Sequence, residues 1–254
     1  MTTPLPTFST VQAIVLAGGR GTRMKAVEKN KVMYEVGGKP MISYSVSALK
    51  ELGIERPIVV IGFSKESIQE YLKDTVEYAI QAEAKGTADA VRSAMPQIKP
   101  DTQNVFVLYG DHTTFYTAKV LRQLFDHHIA SGAGMTLITT HTEPAGYGRV
   151  LRDANGAMIG VVEEKVATEE QKKIREINTG NAVYTAEFLK KYLSKIEMNP
   201  VSGEYYFTDI IELGFRGHEK IETFVVEDEL VAVGINTPDQ LQNAEQLMKG
   251  VKKG

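Results

Sequence analysis

Val11-Gln-Ala-Ile-Val-Leu-Ala17 runs directly into Gly18-Gly-Arg-Gly-Thr-Arg23, and these two stretches together decide the fold class. The first is a short apolar run with β-branched residues and no polar alternation. A strand that is half exposed would alternate, so this one is expected to be buried on both faces, as in a parallel sheet. The glycine-rich turn then falls at the strand's carboxyl end, where open α/β sheets bind their ligands.

Working outward, strand and helix patterns alternate. Pro40 to Leu52 reads as a helix opened by proline and stopped by Gly53. Pro57 to Gly62 is a second strand, followed by a helix to about Lys73 capped by Ser64 or Ser67. Val76 to Gln81 is a third strand, and Thr87 to Met95 a helix stopped by Pro96. Asn104 to Tyr109 is a fourth strand, then come a helix over about Thr117 to Ala130 and a strand over Met135 to Thr140. This order predicts a doubly wound, mainly parallel α/β sheet with helices on both faces. The second half changes character. Asn155-Gly156 marks a hairpin within Gly148 to Glu164, and Thr168 to Glu176 is a charged helical turn or a lid-like stretch. Strands are expected at Ile177 to Thr185, Glu222 to Val226 and Leu230 to Gly234, and helices at Glu187 to Ile196, at Phe207 to Phe215 and from Thr237-Pro238 to about Gly250. Residues 1–10 read as a flexible leader, and residues 11–254 as a single domain: a first half over about 11–112, a second over about 113–236 and a closing helix over about 237–250. No linker divides the two halves.

Composition narrows the function. The 254 residues are 43% hydrophobic and 24% charged, enough for a buried core. A net charge of −3 supplies no global basic field, so nucleic-acid and anionic-membrane binding are not expected. Without cysteine there is no disulfide, thiol catalysis or Cys-bound zinc. The N-terminus carries no secretory pattern and no apolar run is long enough to span a bilayer, so a cytoplasmic protein is expected.

Chemistry is expected around the first glycine-rich loop. Gly18, Gly19 and Gly21 let backbone N–H groups approach anionic oxygens, and Thr22, Arg23, Lys25, Lys29 and Lys31 add a hydroxyl and cations. The loop is not a P-loop, which needs Gly, four residues and then Gly-Lys-Ser/Thr. Nor is it the dinucleotide G-x-G-x-x-G, because Gly19-x-Gly21 leads to Met24. Gln81 ends a strand and carries both a donor and an acceptor, which suits the polar edge of a ligand. Thr87 reads alternatively as a helix N-cap. Asp111 ends another strand, where it can be a Mg²⁺ ligand or an Asx-turn residue. Asn236 sits similarly, as a ligand or a loop cap. His127-His128 read as cations near a helix end, and His112, next to Asp111, as structural.

Leu16-Ala-Gly-Gly-Arg-Gly-Thr-Arg-Met24 with Lys31 resembles the signature of sugar-phosphate nucleotidylyltransferases. The resemblance continues in order through Gln81-Ala-Glu, Gly86-Thr-Ala, Tyr109-Gly-Asp111, Gly146-Tyr-Gly-Arg149, Val162-Glu163, Glu176-Ile-Asn-Thr-Gly180, Gly203-Glu-Tyr-Tyr-Phe-Thr-Asp209 and Gly234-Ile-Asn236. It is greatest to the uridylyltransferase domain of bacterial N-acetylglucosamine-1-phosphate uridylyltransferases. The resemblance implies a Rossmann-like, nucleotide-diphospho-sugar transferase fold and Mg²⁺-dependent transfer of UMP from UTP to a sugar-1-phosphate. It also implies Arg23 and Lys31 as catalytic cations and Asp111 and Asn236 as metal ligands. Leu16, Ala17, Gly18, Gly19, Gly21, Thr22, Gln81, Gly86 and Thr87 would hold the nucleotide. Tyr109, Gly110, Gly148, Glu163, Asn178 and Thr179 would hold the sugar, bordered by Glu204, Tyr205 and Asp209. An oligomer is compatible with this.

Two departures from the family stand out. Asn30 occupies the place of a usual proline before the lysine, which predicts a looser loop around Lys31. Nothing after the last helix resembles the hexapeptide repeats of an acetyltransferase, so that activity is not expected unless the chain belongs to a longer protein. The alternatives are the same chemistry on glucose-1-phosphate or N-acetylgalactosamine-1-phosphate, or with dTTP, and an inactive nucleotide-binding regulatory module.

Overall fold

A computed structural model of the chain describes residues 8–24, 29–143 and 146–251. Residues 1–7 of the expected leader, Lys25, and the basic tail at 252–254 lie outside the described residues. In chain order the strands and helices are β1 (Val11–Ala17), β2 (Glu35–Val36), β3 (Lys39–Pro40), α1 (Met41–Glu51), β4 (Ile58–Ile61), α2 (Lys65–Leu72), β5 (Glu77–Ile80), α3 (Thr87–Ala94), β6 (Asn104–Tyr109), α4 (Ala118–Ser131) and β7 (Met135–His141). The second half adds β8 (Gly148–Arg152), β9 (Met158–Val162), α5 (Glu169–Lys172), β10 (Glu176–Thr185), α6 (Ala186–Leu193), α7 (Asp209–Arg216), β11 (Ile221–Val225) and α8 (Pro238–Val251).

Nine of the strands form one sheet in the order β11-β7-β10-β6-β1-β4-β5, with the β8–β9 hairpin paired onto β10, while β2 and β3 pair with each other in a separate two-stranded sheet. Pairings among β6, β1, β4 and β5, and between β11 and β7, are parallel. The apolar run of β1 is buried on both faces, as its pattern requires. Ala13, Val15 and Ala17 enter one core with α1, α2 and α4, whereas Ile14 and Leu16 enter the other with α3, α6 and α7. Strands β4 and β6 divide their side chains the same way, Val59 and Phe106 to the first core and Val60 and Val107 to the second. Each fully buried aliphatic of this kind contributes roughly 1.5–3 kcal/mol, and the alternation pins the register. A third cluster of Met24, Val36, Met41, Ile235, Ala244 and Met248 seats α8 against the β2–β3 hairpin.

Strand β10 is antiparallel to both β6 and β7. Among the described residues between β7 and β10 the chain makes the β8–β9 hairpin, the 3₁₀ turn Glu164–Val166 and the single-turn α5. A parallel return would need a crossover back to the opposite end of the sheet, and no such crossover exists here.

Several local readings are corrected. Leu230 to Gly234 is not a strand: Glu229–Ala232 is a 3₁₀ turn whose Asp228 carboxylate accepts from Leu230 N at 3.0 Å. An apolar run of that length cannot distinguish strand from turn. Residues 8–10 are not a loose leader, because Phe8 packs on Phe125 with ring centroids 4.8 Å apart. Pro40 precedes α1 rather than opening it, and Ser64 has φ 49° with no side-chain cap. His128 is not a helix-end cation. It is 1% exposed, bonded to Thr136 Oγ1 at 2.8 Å and Asn104 Oδ1 at 3.2 Å. Burial, aided by His127, pushes it down to about 4, so it is a neutral core side chain.

Candidate functional site

The loops after β1, β4, β5 and β6 meet at the carboxyl edge of the sheet. Gly110 N donates to Leu16 O at 3.0 Å and Phe63 N to Gly18 O at 3.3 Å, tying these loops together. The side chains of Leu16 and Ala17 lie in the two cores, so only their backbone reaches this edge. A Cβ on Gly18 would stand 2.8 Å from Gln81 Oε1, so a larger residue there would have to displace the Gln81 amide.

One cluster of charge sits beside the glycine-rich loop. Arg23, in the 3₁₀ turn Thr22–Met24, donates from Nη2 to Asn236 Oδ1 at 3.0 Å. Lys31 Nζ donates to the same Asn236 oxygen at 2.9 Å and forms a close ion pair with Asp111. Asn236 is brought here because Ile235 N donates to Asp111 O at 3.0 Å. It is braced from behind by Gln240, whose Oε1 accepts from Asn236 N at 2.7 Å. Burial alone would raise the Asp111 carboxyl, but Lys31 and His112 together hold it below its ordinary value. His112 closes the cluster, its Nε2 3.2 Å from Asn236 Nδ2, and burial lowers its pKa.

Asp111 and Asn236 therefore aim oxygens at one cation, here the Lys31 ammonium. Among the described residues no three His, Asp or Glu side chains gather in a metal-holding group. One carboxylate and one amide oxygen nevertheless fit Mg²⁺, which takes few protein ligands when phosphate oxygens complete its shell.

Lys31 is held firmly rather than loosely, contrary to the expectation from the missing proline. Asn30 is 1% exposed and donates from Nδ2 to Phe63 O at 2.7 Å and to Ala17 O at 3.0 Å. Its Oδ1 accepts from Val32 N at 3.1 Å, capping the 3₁₀ turn Lys31–Met33. Its backbone, at φ −60° and ψ 146°, already has a proline-like conformation. The asparagine keeps the backbone geometry and adds bonds that no proline can make.

A second group lies at the end of β5. Gln81, 7% exposed, donates from Nε2 to Gly86 O at 3.0 Å and Asp89 Oδ2 at 2.9 Å. Thr87 is the first residue of α3, not its N-cap, and its hydroxyl accepts from Phe207 N at 2.9 Å. Gly86 has φ 100°, and a Cβ there would come 2.5 Å from Tyr205 O. Tyr205 N donates to Lys85 O at 2.8 Å and Ala88 N to Tyr205 O at 3.0 Å, binding the Glu204–Asp209 segment to this loop.

The third group stands on the β8–β10 side. Asn178 pairs across the sheet with Gly148, and Glu163 Oε1 lies 3.2 Å from where a Gly148 Cβ would stand. Burial raises the Glu163 carboxyl pKa, opposed by Arg149 and reinforced by Asp209. Asn178 lies at the edge of a bulge in β10, and its Oδ1 accepts from Gly180 N at 2.9 Å. The Tyr109 ring rests against Gly180. Thr179 does not present its hydroxyl with this group. That hydroxyl donates to Ile138 O at 3.0 Å and accepts from Tyr116 Oη at 3.1 Å within the core. Any contribution of Thr179 to a ligand would come from its backbone.

Sequence reading missed Asn30, Asp89 and Asn181. Asn181 Oδ1 accepts from Tyr109 N at 2.8 Å just beyond the end of the β6–β10 ladder, within the bulge of the β7–β10 pairing. Asn30 carried a visible signal, an N-cap residue type directly before the lysine.

The nucleotidyl transferase family profile matches residues 12–234, and the chain belongs to that family. It is 39% identical over 238 residues to the bifunctional protein GlmU of a Geobacillus species, covering 93% of this chain and 51% of that protein. It is 41% identical over 237 residues to the bifunctional protein GlmU of Thermoanaerobacter pseudethanolicus, again 93% and 51%. With the GlmU of Carboxydothermus hydrogenoformans the identity is 38% over 242 residues, 95% and 53%. The chain thus spans about half the length of these relatives. Among the described residues no helix is long and apolar enough to cross a membrane.

Proposed function

We propose that this chain transfers UMP from UTP to N-acetylglucosamine-1-phosphate, giving a UDP-sugar and pyrophosphate. The observation that carries the reading is the meeting of Arg23, Lys31, Asp111 and Asn236 beside the glycine-rich loop. The choice of base and sugar rests on the ordered motifs quoted above.

An oxygen of the acceptor phosphate attacks the α-phosphorus, the bond from that phosphorus to the bridging oxygen breaks, and its electron pair leaves with pyrophosphate. Two anions must approach, so the barrier is mainly electrostatic, and positioning with fixed cations lowers it. Arg23 faces the leaving phosphates. Lys31 turns from Asp111 to the α-phosphate and the acceptor phosphate. Asp111 and Asn236 would hold Mg²⁺, which would supply further neutralisation of charge. No general base is needed, since the acceptor phosphate is already ionised at neutral pH. The glycine-rich loop and Gln81, Gly86 and Thr87 hold the nucleotide. Gly148, Glu163 and Asn178 hold the sugar hydroxyls, bordered by Tyr109 and Gly110. We read the enzyme as cytoplasmic, where nucleoside triphosphates are available.

Pyrophosphate release tests the reading, using UTP or dTTP with N-acetylglucosamine-1-phosphate, glucose-1-phosphate or N-acetylgalactosamine-1-phosphate, with and without Mg²⁺. Mg²⁺-dependent release that is fastest with UTP and N-acetylglucosamine-1-phosphate is expected. Nucleotide binding without release from any pair would instead mark a non-catalytic binding module.

A further inference from the structure

Gln81 carries an amide whose two ends look alike in shape but opposite in hydrogen bonding. A free glutamine can rotate its amide and read either a donor or an acceptor on a base. Here the rotation is removed. Both acceptors around Nε2 are fixed: Gly86 O at 3.0 Å and Asp89 Oδ2 at 2.9 Å. Each N–H of the amide has a partner, and turning the amide over would set Oε1 against a carbonyl and a carboxylate. Only Oε1 is left without a protein donor among the described residues, and it faces Gly18 of the β1 loop.

We propose that Asp89, on the first turn of α3, is a specificity-determining residue for the nucleotide base. By locking the Gln81 amide with its carbonyl toward the glycine-rich loop, it makes this position read a ring N–H donor. The inference rests on the proposal that the β5 loop holds the base. Uracil and thymine carry such an N–H at N3, whereas N3 of cytosine is an acceptor and would meet Oε1 lone pair to lone pair. Asp89 touches no substrate atom in this role; it positions Gln81. The competing account, in which Asp89 is only a favourable acid near a helix N-terminus, predicts a small stability effect and no change in base preference.

The test compares equilibrium binding of UTP and CTP to the intact chain and to Asp89→Asn and Asp89→Leu variants, alongside steady-state kinetics. An asparagine can offer either an acceptor or a donor to Gln81, so the lock is released while size is kept. A buried pairing that recognises one base over another is worth tens-fold in discrimination, and one of the two restraints is being removed. The expected result is about a tenfold fall in the UTP-to-CTP affinity ratio for both variants. The kinetic loss should lie in KM for UTP, not in kcat or in KM for the sugar phosphate. A ratio within twofold of the parent in folded variants, or an equal loss for UTP and CTP, would overturn the proposal. If the parent binds UTP over CTP but releases no pyrophosphate, the reaction proposed above fails, and the affinity ratios still decide the role of Asp89.

Discussion

Asn30→Ala is the most informative single substitution, because it separates a firmly held loop before Lys31 from a loose one. The side chain bonds Phe63 O at 2.7 Å, Ala17 O at 3.0 Å and Val32 N at 3.1 Å, all from a position 1% exposed. Alanine leaves two carbonyls and one N–H without these partners. At roughly 0.5–1.5 kcal/mol per net hydrogen bond, with the cap itself worth about 1, the loss should be about 2–4 kcal/mol. Urea unfolding followed by circular dichroism measures it directly. Asn30→Asp should be worse than alanine, since it turns a carboxylate toward two carbonyl oxygens in a buried site. Asn30→Pro suits the backbone at φ −60° but loses the same side-chain bonds and also the Asn30 N–H bond to Ser67 Oγ at 3.4 Å, which offsets the roughly 0.4–1 kcal/mol gained by restricting the unfolded chain, so it should lie near the alanine variant. Turnover should fall in the same order as Lys31 loses its anchor. A loss below about 1 kcal/mol for alanine, or a proline variant as stable as the parent, would refute the reasoning.

Other consequences can be checked with equal economy. Gly86→Ala must adopt φ 100° and meet Tyr205 O, so it should destabilise by roughly 1–3 kcal/mol and raise KM for the nucleotide; a neutral effect in thermal unfolding and kinetics would contradict the packing. His128 is neutral in the folded chain, with its pKa lowered from 6.5 to about 4. The unfolded chain binds this proton first, so stability is lost as pH falls through 6.5 toward 4, by roughly 3 kcal/mol in all. His128→Gln should remove that part of the pH dependence of urea unfolding. Chelation with EDTA should abolish turnover without unfolding the protein, seen by parallel assay and circular dichroism.

What the sequence made legible was decided by pattern length and chemistry. Strands β1, β4 and β6 announce themselves because burial on both faces leaves an unbroken apolar run, whose residues the structure sends alternately to two cores. The turn at Glu229–Ala232 carries the same kind of run and so was misread. The residues of the charge cluster were visible one by one, but their convergence was not. Asn236 reaches Lys31 only because Ile235 bonds back to Asp111. Hydroxyl direction is likewise invisible in sequence: Thr179 turns into the core, and Thr87 holds Phe207. Asn30 shows the limit most clearly. The missing proline could be read as a loss, whereas the carbonyls of Ala17 and Phe63 that compensate lie 13 and 33 residues away in the chain.

Lys31 is proposed as the cation shared between two reacting phosphates, and Lys31→Met tests that role most directly. Pyrophosphate release at saturating substrates should fall by on the order of 10²–10³-fold, as for loss of one preorganised donor, while far-ultraviolet circular dichroism is retained. Turnover within a fewfold of the parent, in a variant that still folds, would contradict it.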